Sequence, residues 1–316
     1  MSEAPSPITL RLATSADAAE IAEIYNRERW RVVDAFVVSA VGVALVGLVQ
    51  YFVLGDVITA EGGVLRLRSI YGSPNNVGLM MGRVLPVLLA IVVWGGPARS
   101  RGQRARRWVY GLAVLPVALA LGLSLSRGAI VLGVPAAVVA LGLLAGRRWR
   151  TATLIAVGLG LLALIPLLRL PRFAGLVDLS QGTTSFRVAL WHSSIEMVGD
   201  HPLLGVGPDN FLYAYRTRYV LPTAWEEFNL SHPHNVVLDF AARLGLPGLA
   251  IFLWLQMVFW RRAVPLRTLD DKGRRALALG AMASMANFLG HGLVDAAYFV
   301  IDLAFVFMLT LATVAW

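Results

Sequence analysis

Two histidines in this chain have surroundings that suit proton transfer at a membrane boundary. His232 and His234 lie in the segment SHPHN, directly before a long apolar run. An imidazole ionises near neutral pH, so His234 could act as a general base. The pair could instead hold a metal ion with Asp239, Glu226 or Glu227, but two histidines around one proline project apart in an extended segment. We therefore predict a catalytic or substrate-binding role over a metal site or a structural histidine.

Three arginines lie at or near the ends of apolar segments, where orientation in a membrane does not require them. Arg127 lies in LSLSRGAIVLG, Arg187 lies in SFRVALW, and Arg83 follows YGSPNNVG inside an apolar run. An ionisable side chain at or within a span is costly and is therefore a functional candidate. The alternative is an arginine that extends its guanidinium to the lipid headgroups. We predict functional roles for Arg127 and Arg187 and treat Arg83 as a substrate-binding candidate.

A polar stretch from about 169 to 234 carries further candidates between its two apolar neighbours. Asp209 and Asn210 follow a GVGP turn in HPLLGVGPDNF, and Asn235 ends the segment SHPHN. We include these three residues among the substrate-binding candidates. Aromatic residues in the stretch could stack on sugar faces, although we favour an interfacial belt or lid packing. They are Phe211, Tyr213, Tyr215, Tyr219, Trp225 and Phe228.

The composition indicates which elements must position these residues. Hydrophobic residues make up 57% of the 316 positions and charged residues only 15%, which is far outside the range of soluble domains. A helix needs roughly 20 mostly apolar residues to cross a bilayer. The sequence predicts an all-α, polytopic membrane protein with about eight transmembrane helices and one long outer loop that carries short helices. The predicted spans are 32–54, 77–94, 108–125, 129–145, 151–168, 235–260, 276–293 and 296–316.

The net charge of +9 is distributed as orientation signals rather than as a nucleic-acid patch. If the spans alternate, every dense basic cluster falls on one face, which the positive-inside rule makes cytoplasmic. We therefore expect both termini in the cytoplasm, the long loop outside, and no nucleic-acid partner. The first thirty residues are polar, so we expect no secretory signal. The clusters are Arg27, Arg29 and Arg31; Arg99, Arg101, Arg104, Arg106 and Arg107; Arg147, Arg148 and Arg150; and 261–275.

Four motifs in order resemble the O-antigen ligase and polymerase family of bacterial membrane glycosyltransferases. They are SRGA at 126–129, FRVALW at 186–191, HPLLGVGPDNF at 201–211 and HPHNVVLDFAARLGLPGL at 232–249. YGSPNNVGLMMGR is a further element of this kind, and the resemblance extends from about residue 30 to the C-terminus. Members of the family usually have several spans upstream of the first one seen here. The resemblance therefore predicts a shortened member, or helices that a partner supplies.

The resemblance implies transfer of a glycan from an undecaprenyl-pyrophosphate carrier to an acceptor at the outer face of the cytoplasmic membrane. By motif match, His234 would take the proton of the acceptor hydroxyl, and Arg127 and Arg187 would bind the pyrophosphate. Guanidinium groups bind phosphate oxygens bidentately, which fits this assignment. The expected partners are the lipid-linked glycan, a lipid or glycan acceptor and membrane lipids, and no cofactor or metal is expected. Ligase activity is favoured slightly over polymerase activity.

The N-terminal residues 1–30 form a separate cytoplasmic segment in this prediction, followed by a membrane domain at 31–316. Residues 8–26, ITLRLATSADAAEIAEIYN, predict a short strand, a helix start at Thr14 or Ser15 and an amphipathic helix. This fragment resembles the opening of phosphinothricin-type N-acetyltransferases. Because the apolar spans begin almost at once, we expect a remnant or cytoplasmic cap without acetyltransferase activity.

Two functions outside glycan transfer remain as alternatives. A transporter of the same family would place polar residues near the middle of broken helices. His291, Asp295 and Asp302 could form such a seam between the last two spans, although packing between helices is the favoured explanation. A scaffold without activity in a polysaccharide-assembly complex is the third possibility. The polar residues gather at the outer boundary, which favours an enzyme.

Overall fold

The computed structural model describes residues 18–60, 63–98, 100–169 and 182–315 and consists mainly of helices. The α-helices of the described ranges are α1 Ala18–Val49, α2 Pro74–Trp94, α3 Arg101–Ser124, α4 Val134–Leu144, α5 Arg147–Leu167, α6 Gly182–Asp200, α7 Phe211–Ala214, α8 Val236–Leu266, α9 Lys272–Gly292 and α10 Ile301–Ala315. Three π-helical turns span Gln50–Leu54, Gly128–Gly133 and Tyr215–Tyr219, and two 3-10 turns span Ser69–Tyr71 and Pro222–Glu227.

The predicted fold class, an all-α polytopic membrane protein, is confirmed. Each predicted span coincides with one of α1, α2, α3, α4, α5, α8, α9 and α10, and the turns at 50–54 and 128–133 extend α1 and α4. By length and composition, five helices of the described ranges could cross a membrane. Gly128–Leu144 and Ile301–Val314 are shorter apolar helices. The loop from 169 to 234 carries helices, as expected, and α6 is the longest of them.

The helices α2 and α9 form the centre of the bundle, and α5 lies at its periphery. The apolar window of α2 is 72% buried by other parts of the protein, whereas that of α5 is only 6% buried. The helices α2 and α9 approach closely because Gly280 on α9 has no side chain. A Cβ at this position would lie only 2.8 Å from Cα of Val87 on α2. Close packing of this kind holds helices together in lipid, where no hydrophobic effect drives their association.

The basic segments meet at one end of the bundle. Arg106 on α3 forms a bidentate pair with Asp34 on α1, at 3.0 and 2.9 Å. Arg107 donates to the carbonyl of Gly96 over 2.7 Å. Gly96 in turn approaches Lys272 so closely that an added Cβ would lie 2.6 Å from its side chain. The segments that precede α3 and α9 therefore lie beside the middle of α1, where its predicted span begins, as the alternation of spans predicts.

A small β-hairpin follows α1 and was absent from the sequence-based prediction. Its strands, β1 Ile58–Ala60 and β2 Val64–Arg66, pair antiparallel, with Thr59 opposite Leu65. Strands of three residues carry too little alternation to be recognised in a sequence. Beyond β2, the N–H of Leu67 donates to the carbonyl of Leu123 over 3.0 Å. The hairpin therefore packs against the end of α3, opposite the basic end of the bundle.

The span predicted as one helix over 235–260 is broken near its start. Gly245 has φ 71° and ψ −176°, so α8 consists of two helices joined at a kink. After the kink, the N–H of Leu246 donates to the carbonyl of Pro202 over 2.7 Å. The predicted span is confirmed as a helix that could cross a membrane, and the kink is an additional feature that depends on the contact with Pro202.

The strand predicted near the start of 8–26 and the helix start predicted at Thr14 or Ser15 lie outside the described residues. The helix is present from Ala18 and continues without a break to Val49. The proposed boundary between residues 30 and 31 therefore falls inside α1.

Candidate functional site

The turn between α3 and α4 packs directly against the end of α9. Leu125 ends α3 in a left-handed conformation, with φ 44°. A Cβ on Gly128 would lie only 2.4 Å from Cδ2 of His291, so only glycine allows this approach. The hydroxyl of Ser126 lies 3.3 Å from Nε2 of the same histidine. Arg127 is held between these contacts and is 7% exposed.

The segment SHPHN folds so that its two histidine rings meet. His234 adopts a left-handed conformation with φ 51°, and the ring centroids of His232 and His234 are 4.1 Å apart. The expectation that the two side chains project apart was wrong, because it assumed an extended segment. Asn235 then caps α8, since its side-chain Oδ1 accepts the N–H groups of Val237 and Leu238 at 3.0 and 3.1 Å. Its amide donates to the carbonyl of Leu293 over 3.1 Å.

Asp295, in the loop between α9 and α10, joins these two segments. Its Oδ1 lies 3.1 Å from Nδ1 of His234 and accepts the N–H of Ala296 over 2.9 Å. Its Oδ2 lies 3.7 Å from Nε2 of His291. The carboxylate is almost completely buried, with 6% of its side chain exposed. A chain of contacts therefore runs from Ser126 through His291 and Asp295 to His234.

The charges along this chain of contacts determine which nitrogen of His234 holds the proton. Burial by itself raises the pKa of Asp295, but hydrogen bonding to His234 and His291 outweighs it and holds the pKa well below its usual range. An ionised carboxylate can only accept hydrogen bonds, so Nδ1 of His234 donates to it. In neutral His234 the lone pair is then on Nε2, which is the arrangement that a general base requires.

The positive charge of Arg187, on α6, acts on His232. Desolvation lowers the pKa of His232 to about 3, aided by the charges of His234, Arg243 and Arg187 and opposed by Asp295. His232 is therefore neutral at physiological pH. Because the charge of Arg187 also acts on His291, the start of α6 lies beside the contact chain.

The segment that runs from α3 to α8 also matches a known family. Residues 112–253 match the family model described as O-antigen ligase. Over these residues the chain is similar to O-antigen ligases. The resemblance proposed from the motifs is therefore confirmed over a stretch that includes Arg127, Arg187 and His234. No curated protein matches the chain.

Two of the O-antigen ligase-like motifs bind each other and so hold His234 in place. The N–H groups of Val206 and Gly207 donate to the carbonyls of Ala242 and Arg243, over 2.8 and 3.0 Å. Gly205 has φ 62°, and a Cβ there would lie 2.4 Å from the carbonyl carbon of Arg243. The glycines of HPLLGVG therefore have a structural role, which is to let the loop lie against the first helix of α8.

A buried ion pair strengthens the same contact. Nε of Arg243 donates to Oδ1 of Asp239 over 2.7 Å, one turn earlier on α8. The guanidinium also donates to the carbonyls of Pro208 and Ser231. One side chain thus ties α8 to the loop before it and to the residue preceding His232. Asp239 is engaged in this pair, and the structure does not bring it to the histidines as the metal hypothesis required.

The remaining sequence candidates occupy different places. Arg83 is 1% exposed and donates to the carbonyls of Leu303 and Ala297, so it supports the segment that carries Asp295. Asp209 and Asn210 are exposed on the loop after Gly207. Their predicted roles in substrate binding remain predictions. The structure brings together His232, His234 and the start of α6, and places Arg127 in the turn that contacts His291.

The aromatic residues of the long loop divide into two groups. Phe211 and Tyr215 are fully buried and stack with centroids 6.1 Å apart. They form a small second core with Leu190 and Met197 of α6. Trp225 and Tyr213 are 61% and 60% exposed. The buried group packs the interior of the loop, and contacts of the exposed group with sugars or headgroups remain a prediction.

Asp295 and His291 are the site residues that sequence reasoning assigned to helix packing instead. The signal that could have identified them is a histidine and an aspartate four residues apart at the end of a span. Their partner His234 is 61 residues from Asp295 along the chain. His232, His234 and Asp295 also offer three possible metal-ligand atoms within 4.8 Å of one another.

Proposed function

We propose that this protein transfers a glycan from undecaprenyl pyrophosphate to an acceptor hydroxyl at the outer face of the cytoplasmic membrane. The observation that carries the proposal is the 3.1 Å contact between His234 and Asp295, beside arginines at the same end of the bundle. The family match over 112–253 supports it independently. The long loop faces outward in this proposal, and the basic end of the bundle faces the cytoplasm.

His234 acts as the general base. Its Nε2 takes the proton of the acceptor hydroxyl while the oxygen attacks the anomeric carbon of the lipid-linked glycan. The bond between that carbon and the pyrophosphate oxygen breaks, and undecaprenyl pyrophosphate leaves with the bonding electrons. Asp295 keeps His234 oriented and stabilises the imidazolium that forms, in the way that an aspartate supports a catalytic histidine in hydrolases.

Arg127 and Arg187 stabilise the leaving group. The negative charge on the pyrophosphate grows as the bond breaks, and fixed cations near that charge lower the barrier by several kcal/mol. A lipid carrier reaches such a site laterally from the bilayer, which suits a position at the ends of α3, α8 and α9. Ligase and polymerase reactions share this donor half, so the same residues serve either acceptor.

The proposal is tested by reconstituting the full chain in liposomes with undecaprenyl-pyrophosphate-linked glycan. Release of undecaprenyl pyrophosphate is compared among the wild type, His234→Ala and His192→Ala. His192 is a matched control because 66% of its side chain is exposed. Removal of a general base lowers a rate by about 10²–10⁴-fold, so we expect at least about a 100-fold loss in His234→Ala and none in the control. Equal release by wild type and a folded His234→Ala variant contradicts the proposal.

A transporter is the second candidate, because the centre of the bundle holds buried polar atoms. Within the described residues, Oγ of Ser284, both amide atoms of Asn287 and both of Gln256 have no hydrogen-bond partner. Unpaired polar groups within membrane helices are costly and often mark a pathway. Asn287→Ala separates the two functions. It should abolish solute uptake if the protein is a transporter and leave glycan transfer intact if it is a transferase.

A further inference from the structure

His232, His234 and Asp295 form a compact group of atoms with metal-ligand chemistry. Each residue offers one ligand atom, and the three atoms lie within 4.8 Å of one another. Ligands of tetrahedral Zn²⁺ at bond lengths of 2.0–2.1 Å lie roughly 3.3 Å apart. Nδ1 of His234 and Oδ1 of Asp295 are already 3.1 Å apart. One edge of such a tetrahedron is therefore already formed, and the atoms of the other two edges lie within 4.8 Å of each other.

The backbone around these residues holds the group in place. His234 is turned toward His232 by its left-handed backbone conformation, with φ 51°. Asp295 is fixed by the N–H of Ala296 at 2.9 Å, and its second oxygen faces His291 at 3.7 Å. Partners behind the ligands orient metal sites and raise their affinity. The group is thus preorganised rather than a chance meeting of mobile side chains.

We propose that His232, His234 and Asp295 bind a divalent transition-metal ion such as Zn²⁺, and that the bound ion inhibits glycan transfer. Two imidazoles and one carboxylate suit Zn²⁺, Co²⁺ or Ni²⁺, whereas Mg²⁺ and Ca²⁺ prefer oxygen ligands alone. Water completes the fourth position. The inhibitory part rests on the proposed function, while metal binding itself does not.

Inhibition follows from the number of lone pairs on one imidazole ring. A metal ion on Nδ1 of His234 leaves the ring proton on Nε2, and a metal ion on Nε2 uses the lone pair there. In either case the ring cannot accept the proton of the acceptor hydroxyl. The ion also neutralises Asp295, which otherwise stabilises the protonated ring. The site therefore acts as a base without metal and is blocked with metal.

Binding is measured with Co²⁺, whose visible absorption reports nitrogen and oxygen ligation. The full chain in detergent is stripped with a chelator and titrated with Co²⁺, and Zn²⁺ is then added to displace it. We expect saturation at one equivalent, and at least about a tenfold weaker affinity in His232→Ala and Asp295→Asn. His192→Ala, which changes an exposed histidine, should bind as the wild type does. The metal-site proposal is overturned if Co²⁺ gives no saturable absorption band, or if both site variants bind Co²⁺ with the affinity of the wild type.

Inhibition is measured in the liposome assay, with each variant compared with its own metal-free rate. Zn²⁺ should inhibit the wild type, and His232→Ala should require at least about tenfold more Zn²⁺ for the same inhibition. Co²⁺ binding without any glycan transfer supports the metal site and contradicts the proposed function. Transfer by the wild type that does not change at saturating Zn²⁺ overturns the inhibitory role. The two proposals therefore fail in different measurements.

Discussion

Replacing Asp295 by Asn is the sharpest test of how the site works, because the substitution keeps the shape and removes the charge. The carboxylate accepts Nδ1–H of His234 at 3.1 Å and is 6% exposed. A hydrogen bond to a charged group contributes about 1.5–3 kcal/mol. At about 1.4 kcal/mol per factor of ten, its loss predicts a fall in kcat of roughly 10- to 100-fold. An amide can also donate to Nδ1 and favour the wrong tautomer, which places the expected loss toward the upper end.

The assay is the release of undecaprenyl pyrophosphate from liposomes at varied concentrations of lipid-linked glycan. Because Asp295 acts on the donor and acceptor only through His234, kcat should fall while KM for the lipid-linked glycan stays within about twofold. Asp270→Asn is the matched control, since that carboxyl is exposed at the opposite end of the bundle. A thermal unfolding curve confirms that each variant is folded.

Two outcomes would refute this reasoning. If kcat and KM are both unchanged in a folded Asp295→Asn variant, Asp295 does not orient the base, and His234 works without it. If KM rises while kcat is unchanged, Asp295 contributes to binding in the ground state and not to proton transfer.

Three further results are expected from the structure. Gly245→Ala should lower the free energy of unfolding by more than about 1 kcal/mol, which a lower Tm would show. The cause is that φ is 71° and the new Cβ would lie 2.5 Å from the backbone of Leu203. Gly199→Ala is the control and should leave the Tm unchanged, because the space around Gly199 is open. Arg83→Met should cost about 1–3 kcal/mol of stability, because it removes the buried hydrogen bonds from the guanidinium to the carbonyls of Leu303 and Ala297. A folded variant that loses only activity would indicate substrate binding. The pKa of His232 is about 3 in the folded protein and near 6.5 in an unfolded chain. Between these values the unfolded state binds more protons, so stability should fall as pH drops from about 6.5 to about 3, and denaturant midpoints across that range should show a weaker trend in His232→Gln.

The sequence by itself determined the membrane architecture. Apolar runs long enough to cross a bilayer must form helices there, because lipid offers no hydrogen-bond partners to the backbone. This single constraint acts within each segment, so the predicted spans coincide with helices of the structure.

The tertiary structure decided the contacts that make the site. Asp295 reaches His234 across 61 residues, and the kink at Gly245 depends on the loop near Pro202. A residue's own neighbours in sequence do not encode either contact, since both arise where separate helices end side by side. The sequence could therefore identify His234 as a base, but only the packing of α8 and α9 supplied the carboxylate that orients it.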